Sequence, residues 1–311
     1  MEKYPNMSVL VKDLVKIYGT QRAVDGISFT ANKGQITGFL GPNGAGKSTT
    51  MKIATCFIPP SSGSIEVCGY NVETSPIEVR SKIGYLPEHN PLYLDMYVQE
   101  YLQFIGGLYG MKGAHLTKRI GEMIELCGLG VEQYKKLGAL SKGYRQRAGL
   151  AQSLIHDPEV LILDEPTTGL DPNQILEIRK VIKSIAKDKT VIFSTHIMQE
   201  VQALCDQVII INKGRIVADK TIAEIRNLNT AIKIIRLEFT EQVNIDAFKE
   251  FEYVSDARHI QANVYELVVT TDADTRPLIF KACAEKGWTL IEMKVEEQSL
   301  ESVFRELTSK I

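Results

Sequence analysis

The amino-acid sequence predicts an α/β protein with a largely parallel sheet, followed by a small α+β domain. Two observations indicate the first part: a β-rich stretch opens the chain over residues 8–40, and apolar runs such as "VLILDEP" and "TVIFST" then alternate with segments of helical spacing. A third observation indicates the second part: a new pattern of strand, helix, strand, strand, helix and strand begins beyond Leu228. We therefore expect one domain over residues 1–227 and a ferredoxin-like domain over residues 228–311.

The elements of the larger domain follow in order. The β-rich stretch should form a β-layer that feeds a central strand, and a helix should begin at Lys47 and end at "PPSSG". The region of about residues 92–150 combines helical periodicity with few strand signals, which predicts an inserted helical subdomain. Alternating strands and helices then complete a parallel α/β core, and "DQVIIINKGRIVADK" is typical of a hairpin.

Charge and composition argue against some classes of function. The chain of 311 residues has a net charge of −2, with 26 basic and 23 acidic residues up to position 227 and 10 against 15 beyond it. This balance is unlike that of a chain built to neutralise nucleic-acid phosphates, so we expect no nucleic-acid partner. Five cysteines without a CxxC pair are typical of reduced thiols in the cytoplasm. Neither a signal peptide nor an apolar stretch of membrane-spanning length is visible, so we expect the chain to stay out of the bilayer.

The segment "GPNGAGKST", residues 41–49, fits the phosphate-loop pattern G-x-x-x-x-G-K-[ST] and lies between a predicted strand and a predicted helix. Its glycines let backbone N–H groups point at phosphate oxygens, and the following helix adds its positive end. We expect Lys47 to neutralise the β- and γ-phosphates and Ser48 to ligate Mg²⁺. The predicted nucleotide-binding residues of this loop are Gly41, Pro42, Asn43, Gly44, Ala45, Gly46, Lys47, Ser48 and Thr49.

Two apolar strands should end beside this loop. Asp164 and Glu165 follow one strand and His196 follows the other, so all three should lie at the carboxyl edge of the sheet, where ligands of such folds bind. We expect Asp164 to hold Mg²⁺ through its water shell and Glu165 to deprotonate the attacking water, while His196 reaches the γ-phosphate through Nε2. Glu165, His196 and Lys47 are the predicted catalytic residues. The alternatives are a solvated acidic pair and a structural histidine.

With these motifs in this order, the chain resembles the ATP-binding subunit of an ABC transporter over residues 8–225. The resemblance rests on the phosphate loop at 41–49, "LSKGY" at 140–144, "VLILDEP" at 160–166, "GLD" at 169–171 and His196. It implies a P-loop NTPase fold of the ABC type, with a β-layer, a parallel core and a helical subdomain. It also implies an ATPase that uses ATP and Mg²⁺.

The resemblance further implies an ATP-dependent dimer of two copies that face head to tail. Each ATP would lie between the phosphate loop of one copy and "LSKGYRQR", residues 140–147, of the other; we call residues 140–147 the signature segment. Ser141 and the backbone N–H of Gly143 would open a helix whose positive end faces the other copy's γ-phosphate. Asp171 would lie at the dimer seam and help to align the water. Tyr18 would stack on adenine, unless it is a plain core residue.

Two features depart from the family's usual pattern. The signature segment has Lys142 and Tyr144 where the family has glycine and glutamine, and Lys142 either attracts the other copy's nucleotide or is merely solvated. Glu88, in "IGYLPEHNP", replaces a glutamine that in the family contacts Mg²⁺ and links the site to the membrane subunit. Because a carboxylate also binds Mg²⁺, Glu88 joins Ser48 and Asp164 as a predicted metal ligand. A surface glutamate is the alternative.

The resemblance implies a partner and a location as well. Within the family the chain is most similar to subunits of exporter-type systems, and "IGYLPEHNPLY" resembles the subunit associated with bacterial gliding motility. An integral membrane permease would hold the protein on the inner, cytoplasmic face of the cell membrane. The alternative class is a soluble ATP-switched module, as in DNA-repair or ribosome-associated relatives, but neither a long coiled-coil insertion nor a second nucleotide domain is visible. Residues 228–311 would form either a regulatory domain or a structural extension.

Overall fold

The computed structural model describes residues 7–225, 233–251, 253–271 and 273–297. The chain divides into two compact units, Met1–Lys220 and Thr221–Ile311. Each unit contains a cluster of buried apolar side chains of its own. The domain boundary predicted between residues 227 and 228 lies outside the described residues.

Strands and helices alternate through most of residues 7–221. In chain order they are β1 (Met7–Tyr18), β2 (Gln21–Asn32), β3 (Ile36–Leu40), α1 (Lys47–Ala54), β4 (Ser62–Val67), β5 (Tyr70–Asn71), α2 (Pro76–Lys82), β6 (Ile83–Leu86), α3 (Val98–Leu108), α4 (Gly113–Leu126), α5 (Lys142–Leu154), β7 (Val160–Asp164), α6 (Pro172–Ile185), β8 (Thr190–Thr195), α7 (Met198–Leu204), β9 (Gln207–Asn212) and β10 (Arg215–Thr221).

The predicted β-layer is a four-stranded sheet in the order β2-β1-β4-β5. Val9 and Val11 are two positions apart on β1, and both are buried. A register shift between Val11 and Leu14 allows Leu14 to be buried as well. Asp13 has a φ of 44° within that shift, as expected of a bulge, which lets one strand change its pairing without exposing its apolar side chains.

The parallel core is a six-stranded sheet in the order β10-β9-β3-β8-β7-β6. Strand β3 pairs in parallel with β8 and β9, and β7 pairs in parallel with β6 and β8. Every residue of β3, β7 and β8 is buried, which explains why these strands are continuous apolar runs. The parallel directions place the carboxyl ends of β3, β7 and β8 at one edge of the sheet.

Helices α3, α4 and α5 occupy the region for which the sequence predicts a helical subdomain. They pack on one another through buried residues such as Leu102 on α3, Leu116 on α4 and Leu150 on α5. Among the helices that the structure describes, none is both long enough and apolar enough to cross a bilayer.

The second unit has the ferredoxin-like topology predicted for it. Its elements are β11 (Lys233–Phe239), a 3-10 helix (Ile245–Glu250), β12 (Val254–Gln261), β13 (Val264–Val269), α8 (Arg276–Glu285) and β14 (Leu290–Glu297). The strands form an antiparallel sheet in the order β12-β13-β11-β14. The first predicted helix is only a 3-10 helix, started by the Asn244 side chain, which accepts a hydrogen bond from the Asp246 backbone, and anchored by buried Phe248.

Candidate active site

The phosphate-loop segment connects β3 to α1, and at two of its positions steric crowding requires glycine. Gly46 precedes the first residue of α1 with a φ of 110°, which L side chains rarely adopt. A Cβ added to Gly46 would lie 2.5 Å from the Ala23 carbonyl oxygen, and one added to Gly41 would lie 2.4 Å from the Ile211 carbonyl oxygen. The loop is therefore curled against two neighbouring strands where no larger residue fits.

A cavity of about 340 Å³ lies above this loop at the carboxyl edge of the parallel sheet. Nine of the predicted site residues line it: Asn43, Gly44, Gly46, Lys47, Ser48, Thr49, Glu88, Glu165 and His196. Ala23 and Thr168 line it too, although no motif in the sequence indicated either residue. The cavity thus joins the phosphate loop to three strand ends that are distant in sequence.

Lys47 is a nearly buried cation at the base of the cavity. Its ammonium donates hydrogen bonds to the carbonyl oxygens of Gly41 and Pro42, at 2.8 and 3.3 Å. It also lies 3.4 Å from Oε1 of Glu165, and both side chains are less than one-tenth exposed. A buried ammonium held by one carboxylate and two carbonyls is poised to exchange that carboxylate for a phosphate oxygen.

Glu165 has three side-chain partners around the cavity. Oε1 faces Lys47, while Oε2 lies 2.9 Å from Nδ1 of His196 and accepts a hydrogen bond from Thr168 Oγ1 at 3.3 Å. Its backbone has a φ of 50°, and its N–H donates to the Ser194 carbonyl at 3.2 Å. With Nδ1 of His196 engaged by the carboxylate, Nε2 is the ring nitrogen that remains for another partner.

Asp164 is buried and does not line the cavity itself, but it is hydrogen-bonded to Ser48, which does. Its Oδ1 accepts hydrogen bonds from Ser48 Oγ at 3.2 Å and from Ser194 Oγ at 2.5 Å. Ser194, the residue before the last of β8, is a site residue that no motif indicated, although it stands two positions before His196. Among the described residues, no group of three or more histidine, cysteine, aspartate or glutamate side chains could hold a metal ion. The oxygen donors here instead suit a cation that keeps several of its own waters, as Mg²⁺ does.

The remaining predicted residues do not line this cavity. Ser141 begins α5, where its hydroxyl accepts a hydrogen bond from the Tyr144 N–H at 3.4 Å, and Gly143 is buried in the first turn. Asp171 begins α6 and accepts a hydrogen bond from the Gln174 N–H at 3.0 Å. Tyr18 ends β1 with 48% of its surface exposed, so it is not a core residue.

Comparison with known proteins identifies the family. The ABC transporter family matches residues 24–168. The bacitracin transport ATP-binding protein BcrA of Bacillus licheniformis is 34% identical over 97% of this chain and 98% of its own length. The linearmycin resistance ATP-binding protein LnrL of Bacillus subtilis is 34% identical over 96% of this chain and 97% of its own length.

A solved structure agrees with these relatives. It is that of the ATP-binding subunit of an ABC transporter, with 30% identity and a TM-score of 0.65, and the match covers 71% of this chain and 92% of that one. ATP-binding subunits of this family dimerise and work with membrane permeases. Because relatives more than 30% identical extend over nearly its whole length, the chain belongs to the ATP-binding subunits of ABC transporters, ATPases whose activity is coupled to transport.

Proposed function

We propose that this protein is the motor of an exporter, in which ATP draws two copies together head to tail and so moves a separate integral membrane permease. One observation carries the proposal. At the cavity Glu165 contacts both Lys47 and His196, whereas Ser141 and Gly143, which the family resemblance assigns to ATP, do not line it. A site that lacks its signature residues within one chain is a site that a second copy completes.

The residues of the cavity would divide the work of hydrolysis. Lys47 and the backbone N–H groups of the phosphate loop would bind the β- and γ-phosphates. Glu165 would orient and deprotonate the attacking water, with Thr168 holding Oε2, and His196 would contact the γ-phosphate through Nε2. Tyr18 of the same chain would stack on adenine. Across the dimer seam, Ser141 and Gly143 of the second copy would close on the same γ-phosphate, and Asp171, at the seam, would help to align the water.

Mg²⁺ fits the oxygen donors of this cavity. Ser48, Asp164 and Glu88 would hold it, since hydroxyl and carboxylate oxygens are the ligands that Mg²⁺ prefers. When bound, it would neutralise negative charge on the phosphates. Ser194 would keep Asp164 oriented, because its hydroxyl already donates to Oδ1 of that carboxylate.

A second concave surface in the same unit supports a permease partner. A groove of about 500 Å³ is lined mainly by apolar and aromatic residues, among them Phe57, Tyr85 and Tyr101. Pro87 and His89 also line it, and the residue between them, Glu88, lines the nucleotide cavity. A permease segment with apolar side chains would therefore contact the same loop that contacts the nucleotide.

Export is the direction that the relatives favour, and the complex would lie on the cytoplasmic face of the membrane. BcrA is named for bacitracin transport and LnrL for linearmycin resistance. The relatives reported above do not support a role in gliding motility, which stays a prediction. Fractionating cells with and without the permease distinguishes this function from a soluble ATP-switched module. The motor subunit should enter the membrane fraction only when the permease is present, whereas a soluble module should stay out of that fraction in both cases.

The head-to-tail arrangement can be tested by mixing two inactive variants. Lys47→Ala removes the cavity cation of one copy, and Ser141→Arg blocks the signature segment of the other. A mixed dimer then contains one intact composite site, so the mixture should regain ATP-driven association and phosphate release that neither variant has alone. Ser184→Arg, an exposed serine on α6, is the matched control and should behave as wild type.

Two outcomes contradict the arrangement. One is a Ser141→Arg variant that associates and hydrolyses ATP normally without a second variant. The other is a mixture that remains as inactive in both measurements as its separate components.

A further inference from the structure

The first turn of α5 is fastened to the loop that follows Glu165 in the same chain. Lys142 extends its side chain over Gly169, so that a Cβ added to that glycine would lie 2.1 Å from Lys142 Nζ and 3.2 Å from its Cε. Gly143 lies against the amide of Gln174, where an added Cβ would be 2.5 Å from the Gln174 Cδ. Two consecutive residues of the signature segment thus contact the start of α6 and the loop before it.

One turn further along α5, the same two helices are joined by an ion pair. Arg147, whose side chain is only 14% exposed, pairs with Glu177 on α6. The guanidinium also lies 5.0 Å from the ring centre of Tyr144, which holds it in place on the α5 surface. The contacts at residues 142, 143 and 147 therefore fix the orientation of α5 against α6 along more than one turn.

The loop on which Lys142 rests leads directly to the nucleotide cavity. Thr168, the residue before Gly169, donates a hydrogen bond to the Glu165 carboxylate and itself lines the cavity. Asp171, two residues after Gly169, begins α6 with reciprocal hydrogen bonds to Gln174. A rearrangement of Glu165 on nucleotide binding would therefore reach Lys142, in the signature segment, through Thr168 and Gly169.

We propose that Lys142 and Arg147 are positioning residues that fasten the signature segment to α6 and its preceding loop within one chain. Contacts at this chain's own Glu165 then set the direction in which Ser141 and Gly143 point toward the second copy. The two nucleotide sites of a dimer are thereby coupled. The reason is that the nucleotide cavity of each chain and the start of α5 that it presents to the other copy belong to one packed assembly. This inference rests on the proposed head-to-tail dimer.

The contact of Lys142 adds packing within the chain to the two roles left open for it, attraction to the other copy's nucleotide and plain solvation. Its ammonium and stem lie against Gly169 although the residue is exposed, so the proposed positioning role needs no contact with the second copy's nucleotide. Attraction across the dimer would instead depend on charge and would weaken as salt screens it.

A charge swap tests the ion pair. All variants carry Glu165→Gln, which we expect to hold ATP without hydrolysing it, and ATP-driven association is measured by sedimentation. Arg147→Glu and Glu177→Arg should each weaken association about tenfold, and the combined swap should restore it. The ATP affinity of the monomer, measured with a fluorescent ATP analogue at low protein concentration, should stay within about twofold of the parent, because neither residue lines the cavity.

Several outcomes separate the two proposals. If the Glu165→Gln parent does not associate with ATP, the proposed function fails. If the parent associates but the single reversals do not weaken association, or the combined swap does not restore it, the positioning role is wrong. Glu177→Arg alters a side chain that is 53% exposed and so tests the pair without a buried change, and Lys183→Glu elsewhere on α6 is the control that should have no effect.

Lys142→Met isolates the packing contribution of the lysine. Methionine keeps an unbranched stem over Gly169 and removes the charge, so association and its salt dependence should both stay within about twofold of the parent. Lys142→Gly removes the stem and should weaken association. A Lys142→Met variant with weaker and less salt-dependent association would overturn the packing role in favour of attraction to the nucleotide.

Discussion

Replacing Glu165 with glutamine should tighten ATP binding while it abolishes turnover. The Lys47 ammonium lies 3.4 Å from Oε1 of Glu165, and both groups are almost completely buried. ATP must therefore compete with Glu165 for Lys47. Glutamine keeps the shape of the side chain and removes the competing charge.

The size of the effect follows from that distance. Two unit charges 3.4 Å apart attract by about 5 kcal/mol at an effective dielectric constant of about 20. The desolvation that both groups undergo on burial offsets most of this attraction, and we take a net of about 1–2 kcal/mol. This converts to ATP binding that is about five- to thirtyfold tighter in Glu165→Gln.

The assay is calorimetric titration with ATP, together with phosphate release and thermal unfolding. Phosphate release should fall at least about a hundredfold, as expected for loss of a general base. Without nucleotide the variant should unfold about 2–6 °C earlier, because Lys47 loses its carboxylate partner, and saturating ATP should close most of that gap.

Glu159→Gln is the matched control. It also removes a carboxylate from a lysine, Lys82 at 2.6 Å, but that pair is exposed and lies outside the cavity, so ATP affinity should not change. Unchanged or weaker ATP binding by Glu165→Gln would refute the competition argument. Normal turnover would remove Glu165 as the base.

Three further predictions concern other parts of the chain. Gly46→Ala should abolish ATP binding in calorimetry, because its Cβ would lie 2.5 Å from the Ala23 carbonyl oxygen; near-normal affinity would show that the loop can shift. Glu88→Gln should weaken the Mg²⁺ dependence of ATP affinity, measured with and without the metal, and an identical dependence in both proteins would argue against a metal contact. Burial lowers the pKa of His156 from 6.5 to about 4, so the unfolded chain takes up a proton that the folded one excludes, and stability falls as the pH falls from 6.5 toward 4. After allowance for partial exposure, His156→Gln should remove about 1–2 kcal/mol of the stability difference between pH 7 and pH 4.5 in urea unfolding, whereas an undiminished difference would exclude His156 as its source.

The phosphate loop was predictable because its information is local. Nine consecutive residues, together with the strand before them and the helix after them, specify a segment whose conformation depends mainly on its own glycines and on one cation. Asp164, Glu165 and His196 were predictable for a different reason. Neighbouring parallel strands end at the same edge, so residues that follow buried runs must meet there.

Other site residues had no comparable signal. Ala23 lies on β2 of the antiparallel layer, and it lines the cavity only because that layer packs beside the phosphate loop. Ser194 and Thr168 were visible as hydroxyl residues. Their hydrogen bonds to Asp164 and Glu165, however, depend on atomic positions that only the folded chain specifies. The first helix predicted for the ferredoxin-like unit was wrong in type, since apolar spacing over so short a segment does not distinguish an α-helix from a 3-10 helix.

The order of motifs along the chain was sufficient to infer an ATPase with a parallel sheet, a phosphate loop and carboxylates at the strand ends. Side-chain periodicity and strand direction are local properties, and the chain carries them in consecutive residues. The pairing of Lys47 with Glu165 and the contact of Lys142 with Gly169 emerged only from the folded chain. Those contacts join segments that the chain separates by more than twenty residues, and packing between layers and helices, which no local pattern records, brings them together.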